Sequence, residues 1–296
     1  MTLSHFAARF RIDRPEAFRL ADHAPSECLD LDKQKAGPIL AADIERLSAL
    51  QERLWAENRW AVLVVLQGMD AAGKDSIIEH VMSGVNPQGC DVYSFKAPSA
   101  QELDHDFLWR VAMCLPERGR IGIFNRSHYE EVLAVRVQHE LLESQRLPPG
   151  LVTKNIWKER FEDICAFERH LARNGTAVLK FFLNISKDEQ RRRFLKRLDE
   201  PAKRWKFSMD DIAKRERWSE YMSAYEDMVR NTSFPHAPWY VVPADRKWFA
   251  RLVVASALID ALERLDPQFP TIKGDALAEL EQVRKSLQGG KRGRGQ

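Results

Sequence analysis

Apolar and polar positions follow two different periods along the chain. Five short runs are rich in apolar, β-branched and aromatic residues, as is typical of strands in a parallel sheet buried on both faces. These runs cover residues 60–66, 90–95, 120–124, 176–185 and 239–242. Before, between and after them apolar residues recur every three or four positions, which indicates amphipathic helices. These include residues 39–55, residues 99–115 with Ser99 as the cap, a helix that starts near residue 128, and a last large helix that Asp245 is expected to cap. The alternation predicts an α/β fold, a three-layer α/β/α sandwich with a five-stranded parallel sheet.

The pattern divides the chain into one main domain with an extension at each end. Residues 1–38 are interrupted by prolines, including Pro38, and are predicted to be an irregular N-terminal extension. Residues 39–266 hold all five predicted strands. Within them, residues 195–215 are charged and lie between two predicted helices, which predicts a helical lid. Residues 267–296 are predicted to form a C-terminal helix and a disordered basic tail.

Charge is unevenly distributed, although the net charge of the chain is only +3. Residues 191–217 contain eleven Lys and Arg against five Asp and Glu, and the tail adds three more basic residues. Such local positive charge attracts polyanions. The four cysteines form no C-x-x-C pair, and no apolar run has the length of a signal peptide or membrane span. The sequence therefore predicts a cytoplasmic protein with no membrane segment.

A glycine-rich turn after the first predicted strand carries the clearest chemistry. Residues 68–76, GMDAAGKDS, match G-x-x-x-x-G-K between a buried strand and a helix, which is the phosphate-binding P-loop pattern. The predicted phosphate contacts are Gly68, Ala71, Ala72, Gly73, Lys74, Asp75 and Ser76. Asp75 stands where a Ser or Thr normally binds Mg²⁺. Because Asp70 and Asp75 would repel phosphate unless a cation lay between them, they are the predicted Mg²⁺ ligands.

The third predicted strand ends in Asn125 and Arg126, at the sheet edge where α/β proteins bind ligands. Arg126 is therefore predicted to face the phosphates, and Asn125 supplies an uncharged ligand where an Asp is common. Further phosphate contacts are predicted from the basic helix and lid. They are Arg193, Arg197, Lys203, Arg204 and Lys206.

Several segments together resemble the family-2 polyphosphate kinases. They are GMDAAGKDS, GVNPQGCDVYSFKAPSAQELDHDFLWR, FNRSHYEEVLAVRV, RLDEPAKRWKFSMDDI and WYVVPADRKWFARL. The resemblance implies a P-loop kinase fold with a helical lid, Mg²⁺-dependent transfer between polyphosphate and AMP or ADP in either direction, and dimers or tetramers. It assigns catalysis to Asp70, Lys74 and Arg126. NRSHYEEVL is similar to the subgroup that uses nucleoside mono- and diphosphates, whereas diphosphate-specific relatives tend to carry Asp at position 125.

The acceptor nucleotide is expected beside Asn125, His128 and Glu131, with adenine as the expected base and guanine left open. His128 also allows a phosphohistidine intermediate, but direct transfer is usual in P-loop kinases, so a structural or hydrogen-bonding histidine is favoured. Two rival functions remain open. An ATP-dependent nucleoside monophosphate kinase would share the P-loop and lid. A non-enzymatic polyanion-binding protein would use only the basic segment and tail; specific nucleic-acid binding is not expected.

Overall fold

The computed structural model describes residues 3–272 and 274–289. It contains five strands, β1 to β5 in chain order. They are Ala61–Gln67, Cys90–Ser94, Ile121–Asn125, Thr176–Asn184 and Trp239–Pro243. Twelve α-helices, α1 to α12, are present in the described residues. They are Lys33–Glu57, Lys74–Val81, Ala100–Leu103, Trp109–Ala112, Ala134–Val137, His139–Glu143, Ile156–Arg173, Lys187–Asp199, Met209–Glu216, Trp218–Thr232, Lys247–Leu265 and Asp275–Gly289.

All five strands pair in parallel in the order β2-β3-β1-β4-β5. The central strand β1 is buried along its whole length, as expected for a strand covered on both faces. Leu66 near the end of β1 pairs with Asn125 at the end of β3. The predicted α/β fold with a five-stranded parallel sheet is confirmed. The loops that follow β1 and β3 therefore emerge side by side.

The N-terminal region differs from the prediction of an irregular extension. Ala7 and Phe10 are buried, and Phe10 packs edge-to-face on Phe249 of α11. Ile12 donates its backbone N–H to the carbonyl of Trp239 in β5 at 2.9 Å. These residues bury apolar surface and pair backbone groups, so they belong to the main fold.

Helix α1 also begins earlier than the predicted residue 39. The side chain of Asp32 caps it by accepting from the N–H of Lys35. Pro38 was predicted to break the chain, but it lies inside this helix as its sixth residue. A proline there removes one internal hydrogen bond, and the long amphipathic helix packed on α11 tolerates that loss.

Two predicted helices are interrupted. The segment 99–115 begins with the capping box of Ser99 and Glu102 but contains only α3 and α4. The segment from residue 128 begins as a 3₁₀ helix, His128–Val132, before α5 and α6. Asp245 does not cap α11, because its carboxylate accepts the backbone N–H of Ser186 instead. These helix ends depend on tertiary contacts, which cannot be inferred from the periodicity of apolar residues along the chain.

The predicted lid region consists of the end of α8, a 3₁₀ helix at Pro201–Lys206, and α9. Helix α12 occupies half of the predicted C-terminal extension. The predicted disordered tail, residues 290–296, lies outside the described residues. Within the described chain, none of the helices is both long and apolar enough to span a bilayer.

Candidate active site

The turn between β1 and α2 has the backbone of a phosphate-binding loop. Gly68 has a φ of +153°, and a Cβ there would lie 2.9 Å from the carbonyl oxygen of Leu183 in β4. Gly73, at the start of α2, has a φ of +117°. Ala71 adopts a left-handed φ of +65°, which is uncommon for a residue with a side chain. The loop therefore turns sharply and leads into the N-terminus of α2, where backbone N–H groups attract anions.

Lys74 lies under this turn and is only 8% exposed. Its Nζ donates to the carbonyl oxygens of Gly68 at 2.7 Å and Met69 at 3.4 Å. Burial and the nearby Arg126 lower the pKa of Lys74 to about 8. The ammonium group is therefore held inside the loop, where phosphate is expected.

Asp70 and Arg126 form the second part of the site. The NH2 group of Arg126 donates to one carboxylate oxygen of Asp70. The Nζ of Lys214, in α9, lies 3.8 Å from the other carboxylate oxygen of Asp70. Burial raises the pKa of Asp70, but the cations around it outweigh that effect and leave the pKa below its ordinary value. The other Arg126 terminal nitrogen donates to Glu130 at 3.3 Å. The ion pair of Asp70 and Arg126 thus joins the loops that follow β1 and β3, which leave the sheet side by side.

Arg126 has a left-handed backbone with a φ of +63°. Its N–H still donates to the carbonyl of Leu66 at 3.0 Å, so the chain leaves β3 tied to β1. A left-handed backbone in a non-glycine residue costs about 1 kcal/mol. Such conformations cluster at functional sites.

Asp75 and Asn125 lie at the outer edge of the site. The side-chain amide of Asn125 donates to one carboxylate oxygen of Asp75 at 2.8 Å. The Nζ of Lys206, in the lid, lies 3.8 Å from the other carboxylate oxygen of Asp75. Ser76 faces away from this edge, because its hydroxyl accepts a hydrogen bond from Arg251 of α11 at 2.8 Å. The prediction that the Ser76 hydroxyl contacts phosphate therefore does not fit its placement.

The lid brings Arg197 and Asp211 close to the P-loop. Arg197 donates to Asp211 at 3.4 Å. Burial and the neighbouring Asp70 raise the pKa of Asp211 to about 6. Two other predicted lid cations bind within the lid itself. Lys203 pairs with Glu200, and Arg204 donates to the carbonyl of Leu198 at 2.7 Å.

Arg193 does not have the placement expected of a phosphate-binding lid residue. It is 7% exposed, and all of its nitrogens donate to protein acceptors. These acceptors are the carbonyls of Ala71, Ala72, Ala244 and Asp245, and the Glu189 carboxylate. Its guanidinium group supports the P-loop from behind, so we assign it a structural role.

Two predicted acceptor residues are also buried. The His128 side chain is fully buried, with its Nε2 3.6 Å from a Glu168 oxygen, and burial lowers its pKa. Glu131 pairs with Arg160 at 3.0 Å and is 4% exposed. Neither can contact a nucleotide in this arrangement, and a phosphohistidine at position 128 does not fit either. Asn125 alone among the three lies at the site.

A buried ionic cluster explains the placement of His128. Lys180 of β4 donates to Glu168 of α7, to the Tyr129 hydroxyl at 2.8 Å and to the Thr232 carbonyl at 2.7 Å. Tyr129 also donates to Glu168 at 2.7 Å. The cluster fastens the segment after Arg126 to the sheet and to α7.

Sequence reasoning missed other side chains at the site. Lys214, Glu130, Tyr221 and Tyr225 line the cleft beside Asp70 and Arg126. The only sequence signal for Lys214 was the Asp-Asp-x-x-Lys spacing of α9, which places Lys214 one turn from Asp210 and Asp211. Nothing in the sequence shows that α9 folds back over the P-loop.

The donor atoms of the site suit Mg²⁺ shared with a substrate. Asp70 and Asp75 offer carboxylate oxygens, the ligands that Mg²⁺ prefers. No cluster of three or more His, Cys, Asp or Glu able to hold a metal occurs in the described part of the chain. The residues therefore fit an ion held by one or two carboxylates together with phosphate oxygens. A buried lysine, an arginine and lid cations around such a group can bind and neutralise phosphates.

The family model described as Polyphosphate kinase 2 (PPK2) matches residues 30–270. An ADP-polyphosphate phosphotransferase of Rhodopseudomonas palustris is 52% identical over 86% of this chain and 89% of its own length. An AMP/ADP-polyphosphate phosphotransferase of Meiothermus ruber is 47% identical over 88% of this chain and 95% of its own length.

A solved structure shows the same likeness. The crystal structure of Polyphosphate Kinase 2 from Arthrobacter aurescens has a TM-score of 0.85 and 40% identity, and the match covers 94% of this chain and 96% of that one. The family model spans the P-loop, the lid and all five strands. The chain belongs to the polyphosphate kinase 2 family.

Proposed function

We propose that this protein transfers a phosphoryl group, reversibly, between inorganic polyphosphate and AMP or ADP, with Mg²⁺ bound by Asp70 and, in part, Asp75. The proposal rests above all on the junction of Lys74, Asp70 and Arg126, where two adjacent strands end. The names of two similar proteins give polyphosphate as a substrate. We further propose a homodimer or homotetramer that works in the cytoplasm.

Transfer between two phosphate chains requires that the chains be positioned and that their negative charge be neutralised. Donor and acceptor are both phosphate chains, and the attacking phosphate oxygen is already ionised near neutral pH, so a strong general base is not required. Lys74 and Arg126 would bind the phosphoryl group in transfer. Mg²⁺, when bound, would neutralise charge on the phosphates, and Asp70 would hold it in place.

The lid supplies the second set of cations. Lys214 and Lys206 already lie 3.8 Å from Asp70 and Asp75, so α9 and the preceding 3₁₀ helix cover the P-loop. With phosphates bound, these lysines would exchange their carboxylate contacts for phosphate oxygens. The covered site would also exclude water, which could otherwise hydrolyse the donor.

The acceptor range is the finer part of the proposal. The Rhodopseudomonas relative is named for ADP, and the Meiothermus relative is named for AMP and ADP. Asn125 contacts Asp75 at the edge of the site without adding negative charge. We propose that it allows both monophosphate and diphosphate acceptors. Adenine is the proposed base, and guanine acceptors are included in the test.

In the experiment, purified protein is incubated with long-chain polyphosphate, Mg²⁺ and one acceptor nucleotide, which is AMP, ADP, GMP or GDP. The nucleotide products are followed by chromatography. Lys74→Ala is the inactive variant, and Lys158→Ala, which removes a lysine that is 78% exposed, is the matched control. We expect the wild type and the Lys158→Ala control to convert AMP to ADP and then to ATP, and we expect no conversion by Lys74→Ala. Transfer that requires ATP as donor would instead support a nucleoside monophosphate kinase.

A further inference from the structure

Helix α12 presents an apolar face that the described part of the chain leaves exposed. The helix covers Asp275–Gly289 and lies beyond residue 270, where the match to the family model ends. Its four large apolar side chains are between 49% and 75% exposed. They are Leu277, Leu280, Val283 and Leu287. A stripe of exposed apolar side chains along one helix is typical of an interaction surface.

The spacing along this face is that of a coiled-coil seam. Successive members of the seam lie four, three and four residues apart, as positions d, a, d and a of a heptad do. The members are Ala276, Leu280, Val283 and Leu287. Leu277 flanks the seam at position e, and the other positions of the helix hold charged, polar or small residues. Such a narrow seam is typical of helices that pair with one another.

The charges beside the seam are complementary between two parallel copies of the helix. Glu279 is at position g, and Arg284 is at position e of the following heptad, five residues later. In a parallel coiled coil, residues in these two positions lie side by side on neighbouring helices and form salt bridges. Within one helix the two side chains do not meet, because neighbours on a helix surface are three or four residues apart. In an antiparallel pair, Glu279 would face another position g, which holds no basic residue in α12.

The seam residues also agree with the proposed number of chains. In a parallel arrangement each seam residue meets the same residue of the neighbouring helix. Leu280 and Leu287 take position a, and the β-branched Val283 takes position d. Leucine at a with a β-branched residue at d favours bundles of more than two helices. The seam therefore fits the homotetramer among the assemblies proposed above.

We propose that α12 is a self-association surface, on which the same helix of another copy of this chain packs in parallel. The inference goes beyond phosphoryl transfer, and it rests on the proposed homodimer or homotetramer. Two heptads are too short to associate tightly as free peptides. Helices carried by chains that already associate meet at a high effective concentration, which allows the seam to close. The apolar side chains of α12 are then buried in the assembly.

The test measures cross-linking between intact chains with a short bis-maleimide reagent. In Val283→Cys the new thiol lies on the seam. In Lys285→Cys, the matched control, it lies at position f on the outer face. We expect Val283→Cys to cross-link about 10-fold faster, because pairing brings the two thiols to a high effective concentration. Mass spectrometry of the joined peptides separates this link from links through the four native cysteines.

Charge reversals in the Val283→Cys protein test the parallel arrangement. Glu279→Arg or Arg284→Glu alone places like charges side by side. Each should slow cross-linking about 10-fold, which corresponds to about 1.4 kcal/mol. The two reversals together restore opposite charges and should restore the rate. Lys285→Glu makes the same change of charge as Arg284→Glu on the outer face, and it should leave the rate unchanged.

Cross-linking of Val283→Cys no faster than that of Lys285→Cys would overturn the proposal. This is also the result expected if α12 packs on its own chain or on a different protein. Single charge reversals without effect, or a double reversal that stays slow, would overturn the parallel arrangement. Sedimentation velocity of the wild type distinguishes the two levels, because a monomer refutes the homo-oligomer as well, whereas an oligomer without the cross-link refutes only the pairing of α12. Failure of phosphoryl transfer would leave the cross-link unchanged.

Discussion

Replacing Arg193 with Met tests whether this residue supports the P-loop or binds substrate. The methionine side chain fills similar space but removes every donor. Four backbone carbonyls, those of Ala71, Ala72, Ala244 and Asp245, then lose a hydrogen bond in a buried setting. At about 1 kcal/mol for each bond, the free energy of unfolding should fall by roughly 4 kcal/mol. For a chain of this size that lowers the thermal midpoint by roughly 8–16 °C.

The matched control is Arg192→Met. Arg192 is the adjacent residue in α8, its side chain is 66% exposed, and it pairs with Glu189. A surface pair of this kind contributes about 0–1 kcal/mol, so the midpoint should move by no more than about 4 °C. Differential scanning calorimetry on both variants gives the comparison. A nearly unchanged midpoint for Arg193→Met, together with a raised KM for polyphosphate, would show that Arg193 binds substrate and that our structural assignment is wrong.

Three further predictions follow from charges at and near the site. Because the pKa of Lys74 is lowered to about 8, the ammonium group is lost as pH rises, so kcat/KM for polyphosphate should fall above about pH 8; a profile that stays flat to about pH 10 would contradict this. Asn125→Asp places a second carboxylate beside Asp75, so the AMP-to-ADP rate ratio should fall and the Mg²⁺ requirement should rise; chromatography of products checks the ratio, and an unchanged ratio would refute the assignment. Glu168→Gln leaves the buried Lys180 ammonium without its carboxylate and should destabilise the fold by about 3–5 kcal/mol in urea unfolding; a loss of about 1 kcal/mol or less would contradict the buried pair.

The strands β1, β3, β4 and β5 were predictable because each is a largely buried run whose composition reflects that burial. β2 lies at the edge of the sheet and is partly exposed, and it was predicted from its β-branched and aromatic residues. β1 was predicted at 60–66 and lies at Ala61–Gln67. Helix ends were less predictable, since they depend on partners distant in sequence. Asp245 illustrates this, because a carboxylate before a helix usually caps it, yet here it accepts from Ser186 of another segment. The N-terminal segment was missed although Phe6, Ala7 and Phe10 recur at helical spacing, because the prolines that follow led to the prediction that residues 1–38 are irregular.

The core of the site was predictable from one motif and its context. Lys74, Asp70 and Arg126 follow strand ends, and the carboxyl ends of parallel strands meet at one edge of the sheet. What the sequence could not show is which basic residue is buried. Arg193 and Arg197 share a helical face, but only Arg193 reaches the carbonyls behind the loop. Lys214 was missed because its contact with Asp70 depends on how α9 returns over the sheet.

The left-handed backbone at Arg126 has a consequence for engineering. Glycine would relieve the backbone at that position at little steric cost, so a redesign that optimises folded-state energy alone is drawn toward Arg126→Gly. That choice would also delete the side chain that joins Asp70 to Glu130. Thermostable variants of this protein are therefore better sought with position 126 held constant and the stability gained elsewhere.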